Sequence, residues 1–76
     1  MLYFYNSGDE IMEKVIAGLA KGMSVVDSVK AAGGRVEFVG GETFITLYDG
    51  DGYTMYNAYK DRNGFHYKAV SKGIVV

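Results

Sequence analysis

Three short glycine-containing segments constrain the fold of this chain more than any other feature of its sequence. They occupy residues 40–41, 49–52 and 61–64 and contain the pairs Gly-Gly, Asp-Gly and Asn-Gly. These pairs tolerate the positive φ angles of tight hairpin turns. The residues between them are rich in β-branched and aromatic side chains, which favour strands. The sequence therefore predicts a four-stranded antiparallel meander over residues 35–70.

The turns also predict which side chains share a face of this sheet. The middle turn is centred either on Gly50 and Asp51 or on Asp51 and Gly52, and both choices keep every side chain on the same face. A three-residue last turn would instead exchange the faces of residues 65–70. With a two-residue last turn, one face of the sheet is apolar and is the predicted core, with Thr43 and Thr54 at its rim. The residues of this face are Val36, Phe38, Ile45, Leu47, Tyr56, Ala58, Phe65, Tyr67 and Ala69.

The first half of the chain predicts a strand and two helices. Residues 1–6 alternate in the manner of a short strand. Ser7 with Glu10, and Ser24 with Asp27, are capping signatures for helices over about residues 8–21 and 25–32. The apolar positions of these helices are Ile11, Met12, Val15, Ile16 and Leu19 in the first, and Val25 or Val26, Val29 and Ala32 in the second. We expect this helical corner to cover the apolar sheet face, which gives an α+β fold of the order β-αα-ββββ. Residues 71–76 receive no assignment.

Length and composition restrict the class of protein. The 76 residues suit one domain spanning residues 1–76, and we expect it to be complete as it stands. The chain has no cysteine, which excludes disulfides and cysteine-based metal sites and favours a cytoplasmic location. No apolar run approaches the roughly 20 residues that span a bilayer, so we expect a soluble protein. The formal net charge of -1 is unfavourable for binding a phosphate backbone.

No motif in the sequence predicts catalysis, a metal or a cofactor. His66 is the single histidine, and the parity of the strands predicts that it faces solvent beside Lys68. Asp49 and Asp51 resemble the opening of a calcium loop, but the twelfth position, which requires Glu, is Lys60. The glycines lack the lysine and the strand-turn-helix context of a phosphate-binding loop. We therefore expect a non-enzymatic protein without cofactors.

The second face of the predicted sheet is the strongest candidate for a binding surface. Tyrosine, methionine and arginine, which are enriched at interfaces, occur together on it. Cross-strand tyrosine pairs also stabilise sheets, so a purely structural role is the competing interpretation. The candidate binding residues are Tyr48, Tyr53, Asn57, Tyr59, Phe44, Arg35, His66 and Lys68.

The helical corner carries a local resemblance. Residues 20–33, AKGMSVVDSVKAAG, resemble the first two helices of the helix-turn-helix modules of transposases and small terminase subunits. Such modules imply a third helix that enters the major groove of DNA. Residues 35–39 predict a strand at that place, so nucleic-acid binding is the less favoured interpretation.

In size and make-up the chain resembles the small acidic proteins that phages use against host defence, of which anti-CRISPR proteins are an example. This resemblance implies a protein that occludes the surface of a protein partner, with Asp49, Asp51, Asp61 and Glu42 as mimics of nucleic-acid charge. The alternative is a nucleotide-binding sponge whose site lies at a subunit interface. We also expect a homodimer, in which residues 74–76 pair as an edge strand.

Overall fold

Two helices precede a four-stranded antiparallel sheet with the strand order β1-β2-β3-β4. The structure, a computed structural model, describes residues 7–75, with only the backbone described for residues 7–10. The elements are α1 Ser7–Ala20, α2 Val25–Ala31, β1 Arg35–Val39, β2 Glu42–Asp49, β3 Gly52–Asp61 and β4 Gly64–Ile74. The α+β class, the helical corner and the meander are thus confirmed. The strand predicted for residues 1–6 lies outside the described residues.

Both helices begin and end within one residue of their predicted bounds, because local sequence signals determine these bounds. The Ser24 Oγ accepts a hydrogen bond from the Asp27 backbone N–H at 3.1 Å and so caps α2. At the end of α1, the Met23 N–H donates to the Gly18 carbonyl at 3.0 Å. This bond needs a left-handed residue between the helices, and Gly22 provides it with a φ of 94°.

The turns place the side chains on the predicted faces. Asp49 is opposite Gly52, so the middle turn is centred on Gly50 and Asp51, and the alternative centre at Asp51 and Gly52 is wrong. Asp61 is opposite Gly64, so the last turn has two central residues and the three-residue alternative is also wrong. The parity argument therefore holds through all three turns.

The last strand is longer than the sequence predicts. Residues 71–74 continue β4 after a bulge, because Ala69 is opposite Tyr56 whereas Ser71 is opposite Met55. Val70 is the extra residue. A bulge exchanges the faces of the residues that follow it. A strand that ends at Val70 was thus the wrong prediction, and the pairing with β3 extends to Ile74.

The core lies between the helices and the central strands. Its fully packed members are Met12, Val15, Val29, Ile45, Leu47, Tyr56 and Ala58. The partly buried residues against them include Ile11, Leu19, Val36 and Phe65, all of them predicted core positions. Residues from α1, α2, β2 and β3 therefore form one apolar cluster.

Four predicted core positions are exposed instead. Phe38 is 69% exposed, Tyr67 42% and Ile16 38%, and Ala69 is also exposed. The helices pack on β1 and β2, so most of β4 has no described element over its helix-side face. Phe38 lines an open apolar cleft of about 140 Å³ together with Val25, the first residue of α2. The predicted sheet face of the three strand residues is confirmed, but their predicted burial is wrong.

Gly34 sets how closely α2 approaches the sheet. A Cβ on this residue would lie 2.5 Å from the Thr46 backbone oxygen, 2.7 Å from a Leu47 methyl carbon and 3.0 Å from a Val29 methyl carbon. The Gly34 N–H donates to the Val29 carbonyl at 2.9 Å and closes the end of α2. The approach is therefore closer than any residue with a side chain allows.

Candidate binding surface

The face of the sheet turned away from the helices, here called the outer face, carries the candidate residues. The register arranges their side chains in four rows across the strands. The first row is Tyr48, Tyr53 and Gly73, and the second is Arg35, Thr46, Met55 and Ser71. The third row is Glu37, Phe44, Asn57 and Lys68, and the fourth is Val39, Glu42, Tyr59 and His66. Rows on one face are about 6.8 Å apart, so the first and last lie about 20 Å apart.

In the first row, the neighbouring residues hold the ring of Tyr53 in place. Tyr48 is opposite Tyr53, and Tyr53 is opposite Gly73. A Cβ on Gly73 would lie 2.8 Å from the Tyr53 Cε2 and Oη atoms, so the ring packs directly over the glycine. Aromatic rings that cover a glycine on a neighbouring strand stabilise the sheet. Because Val70 bulges, Gly73 rather than a residue with a side chain faces Tyr53.

A shallow cavity of about 290 Å³ lies beside this ring. Its lining residues are Arg35, Glu37, Thr46, Tyr48, Tyr53, Met55 and Val75. Thr46 is only 7% exposed although no described element packs on the outer face. Its neighbours in the sheet therefore cover it. The Val75 N–H donates to the Asp51 carbonyl at 2.6 Å and holds that end of the chain against the middle turn.

One side of the cavity is charged but balanced. An Arg35 guanidinium nitrogen lies 3.1 Å from the Glu37 Oε2, and both side chains are largely exposed. Exposed pairs of this kind contribute about 0–1 kcal/mol to stability. The pair therefore acts as a polar rim that leaves no unbalanced positive charge at the cavity.

The third row contains a hydrogen-bonded amide. The Asn57 Nδ2 donates to the Glu42 Oε1 at 2.7 Å across a diagonal of β2 and β3. Phe44 is half-buried beside Asn57, and Lys68 is exposed on the other side. A carboxylate only accepts hydrogen bonds, so the Glu42 carboxylate orients the Asn57 amide with its nitrogen toward Glu42.

The fourth row ends in a stacked pair. The rings of Tyr59 and His66 stack with centroids 4.8 Å apart and an interplanar angle of 22°. The His66 Nε2 donates to the Asp61 Oδ1 at 3.0 Å, and the Asn63 N–H donates to the same oxygen at 2.8 Å. His66 lies on the outer face as predicted, and its ring is only partly exposed because it also contacts Tyr59 and the last turn.

These contacts affect the acid of the last turn. The hydrogen bond from His66, and then that from the Asn63 backbone, lower the pKa of Asp61 below its ordinary value of 3.8. Because the folded-state pKa is depressed, the contact stabilises the fold at pH values above the ordinary pKa. That contribution is lost as the pH falls through the lowered pKa.

The eight candidate residues all lie on the outer face, but they do not form one concave site. Arg35, Tyr48 and Tyr53 line the cavity, whereas Tyr59 and His66 lie at the far end of the sheet. Met55, which also lines the cavity, is the methionine of the predicted interface group. Sequence reasoning missed the remaining lining residues, Glu37, Thr46 and Val75, as members of the site. Parity places Glu37 and Thr46 on the outer face, but Val75 required knowledge of the bulge.

Three features of other protein classes are absent from the described part of the chain. Among the described side chains, those of residues 11–75, no group of three or more His, Asp and Glu residues is arranged to hold a metal ion. No helix within residues 7–75 is both long enough and apolar enough to cross a membrane. Residues 35–39 form β1, so no third helix follows the helical corner there.

The fold is thus a two-helix corner on one face of an antiparallel meander, with the other face open and aromatic. The chain matches no protein-family model, no curated protein and no solved structure.

Proposed function

We propose that this chain is a non-enzymatic binding protein whose outer face occludes the surface of a protein partner. The observation that carries the proposal is the cavity walled by Tyr53, whose ring packs on Gly73 in the absence of any partner. A ring held in place before binding loses little entropy when a partner covers it. Tyrosines in such positions typically dominate the energy of an interface.

The shape and charge of the cavity favour a protein over a nucleotide or a nucleic acid. A volume of about 290 Å³ lies at the lower end of the range for small-molecule sites, and the cavity is open. It suits one apolar or aromatic side chain that protrudes from a partner. Arg35 is paired with Glu37, so a phosphate would compete with a carboxylate already in place.

Inhibition by occlusion is the activity we propose, of the kind that phage-encoded inhibitors of host defence carry out. The acids of the middle turn, Asp49 and Asp51, directly follow Tyr48 and flank the same end of the outer face. They would meet basic residues around the partner's contact site. Complementary charge at the rim chiefly speeds association, while the tyrosines supply affinity.

The test is truncation of the cavity wall. Tyr48→Ala and Tyr53→Ala are each expected to weaken binding by about 2 kcal/mol, near a thirtyfold loss of affinity. The partner is first identified by capture on the immobilised wild type, and its affinity is then measured by calorimetry. Melting temperatures of all variants separate loss of contact from loss of fold.

Phe38→Ala provides the matched control, because Phe38 is an exposed aromatic residue on the helix-side face. Affinity that is unchanged in Phe38→Ala and reduced in both tyrosine variants supports the proposal. If both tyrosine variants fold and bind as the wild type does, the outer face is not the contact surface.

We further propose that β4 pairs with β4 of a second copy. This strand is one of the two edges of the sheet, and Val70 and Ile74 on it and Val75 directly after it are exposed. Unpaired backbone groups on such an edge accept another strand, and a two-fold dimer satisfies both copies equally. Light scattering at micromolar concentration is expected to give the mass of a dimer, and Ile74→Asp that of a monomer. A monomeric wild type would refute the pairing.

A further inference from the structure

The two helices form a second cavity on the side of the protein away from the outer face. It has a volume of about 290 Å³ and lies in the groove between α1 and α2. Its walls are small apolar residues, Ala17 and Gly18 from α1, Ala31 from α2 and Ala32 at the C-cap of α2. Lys14 and Lys21 line it as well, and Ser28 and Met23 complete it.

Ser28 is anomalous in this setting. It is 2% exposed, and its Oγ forms no hydrogen bond within the described part of the chain. A buried hydroxyl without a partner destabilises a fold, so such groups call for an explanation. Alanine would fill the helix crossing with the same Cβ and without that cost. The hydroxyl is therefore unexplained by packing.

The surroundings of Ser28 allow its hydroxyl to become accessible. A Cβ on Gly18 would lie 2.7 Å from the Ser28 Oγ and 3.2 Å from the Met23 Sδ, so the thioether and the hydroxyl meet at the same glycine. Met23 is 37% exposed and lies in the connection between the helices. Methionine is unbranched and readily changes rotamer. Rotation of its side chain outward would increase the access to the Ser28 hydroxyl, which already lines the cavity.

The charge of the cavity points to the class of ligand. Lys14 lies in α1 and Lys21 directly follows its last residue, two helical turns further along the same side, and both are exposed. Neither forms an ion pair with a described residue, and no described acidic side chain lines the cavity. Two ammonium groups and one hydroxyl donor all suit an oxyanion.

We propose that this groove binds a small organic oxyanion with a short apolar body. Lys14 and Lys21 would bind the oxyanion, the Ser28 hydroxyl would donate a hydrogen bond to it, and the alanine walls would contact the apolar body. The proposal is independent of the outer face, because none of these residues belongs to the sheet.

The experiment is a titration of the ¹⁵N-labelled protein with benzoate and with phenyl phosphate, followed by amide chemical shifts. Saturable shifts are expected at Gly18, Ser28 and Ala32, and the tighter probe identifies the head group. Benzyl alcohol, which has the same ring without the charge, is expected to bind at least about tenfold more weakly. The double variant Lys14→Gln with Lys21→Gln is expected to lose about tenfold in affinity for the anionic probes.

Lys30→Gln is the matched control, because Lys30 is an exposed lysine of α2 that does not line the cavity. Ser28→Ala is expected to weaken anion binding and to raise the melting temperature of the free protein, because it removes the unpartnered hydroxyl. Absence of saturable shifts at millimolar probe would overturn the proposal. Equal affinity for benzyl alcohol, or unchanged affinity in Ser28→Ala or in the double lysine variant, would also overturn it.

Discussion

Leu47→Ala is expected to lower the free energy of unfolding by about 2–5 kcal/mol. Leu47 is 1% exposed and belongs to the cluster formed by the helices and the central strands. Truncation removes buried apolar surface and leaves a cavity that close-packed neighbours fill only in part. A domain of this size has a total stability near the lower end of the usual 5–15 kcal/mol, so the variant should be largely unfolded at moderate temperature.

Urea denaturation of the wild type and the variant measures this effect. Val39→Ala is the control, because it shortens an aliphatic side chain that is 59% exposed on β1, away from the proposed β4 contact. Its effect on stability should stay within about 0.5 kcal/mol. A Leu47→Ala protein that is as stable as Val39→Ala would show that the core does not lie on the helix side of the sheet.

Gly34→Ala is the second change with a large expected effect. The new methyl group would lie 2.5 Å from the Thr46 carbonyl oxygen, and a backbone atom of a central strand cannot move aside cheaply. Either α2 or β2 must shift, which disturbs the contacts of Val29 and Leu47 in the core. Overpacking of this kind costs about 1–3 kcal/mol, and more where the backbone is the obstacle.

Gly52→Ala separates this steric effect from the general effect of replacing glycine. At Gly52 the added methyl group would meet carbonyl oxygens no closer than 3.5 Å, which is ordinary contact. Replacing glycine where alanine fits changes stability little or raises it by about 0.4–1 kcal/mol, since the unfolded chain becomes less flexible. Thermal melting of both variants should therefore show a fall for Gly34→Ala alone. Equal melting temperatures would contradict the close approach of α2.

The sequence predicted the topology because that information is local. Turn pairs such as Gly50 with Asp51 require particular backbone conformations, and strand parity then fixes each face without knowledge of distant contacts. The cap at Ser24 is equally local. Burial is different, because it depends on where the helices lie. Tyr67 has core parity but is exposed, since the helices pack on β1 and β2 and not over β4. Phe38, the next-to-last residue of β1, also has core parity and is exposed in an open cleft.

The candidate surface was predictable to the same extent. Arg35, Tyr48 and Tyr53 could be placed on the outer face from parity alone. Gly73 and Val75 could not, because the bulge at Val70 depends on how β4 continues along β3. The buried hydroxyl of Ser28 was also beyond the sequence, because the crossing of α1 over α2 buries it.

The methionines offer the most direct test of the outer face as the working surface. Met55 lines the outer cavity, Met23 lines the groove between the helices, and Met12 lies in the core. Methyl-¹³C labelling of methionine therefore gives, besides the signal of Met1, one NMR signal on each surface and one inside. On addition of the captured partner, we expect the Met55 methyl signal to shift or broaden, while those of Met12 and Met23 keep their positions. A shift of Met23 with Met55 unchanged would place the contact on the helical corner and contradict the account.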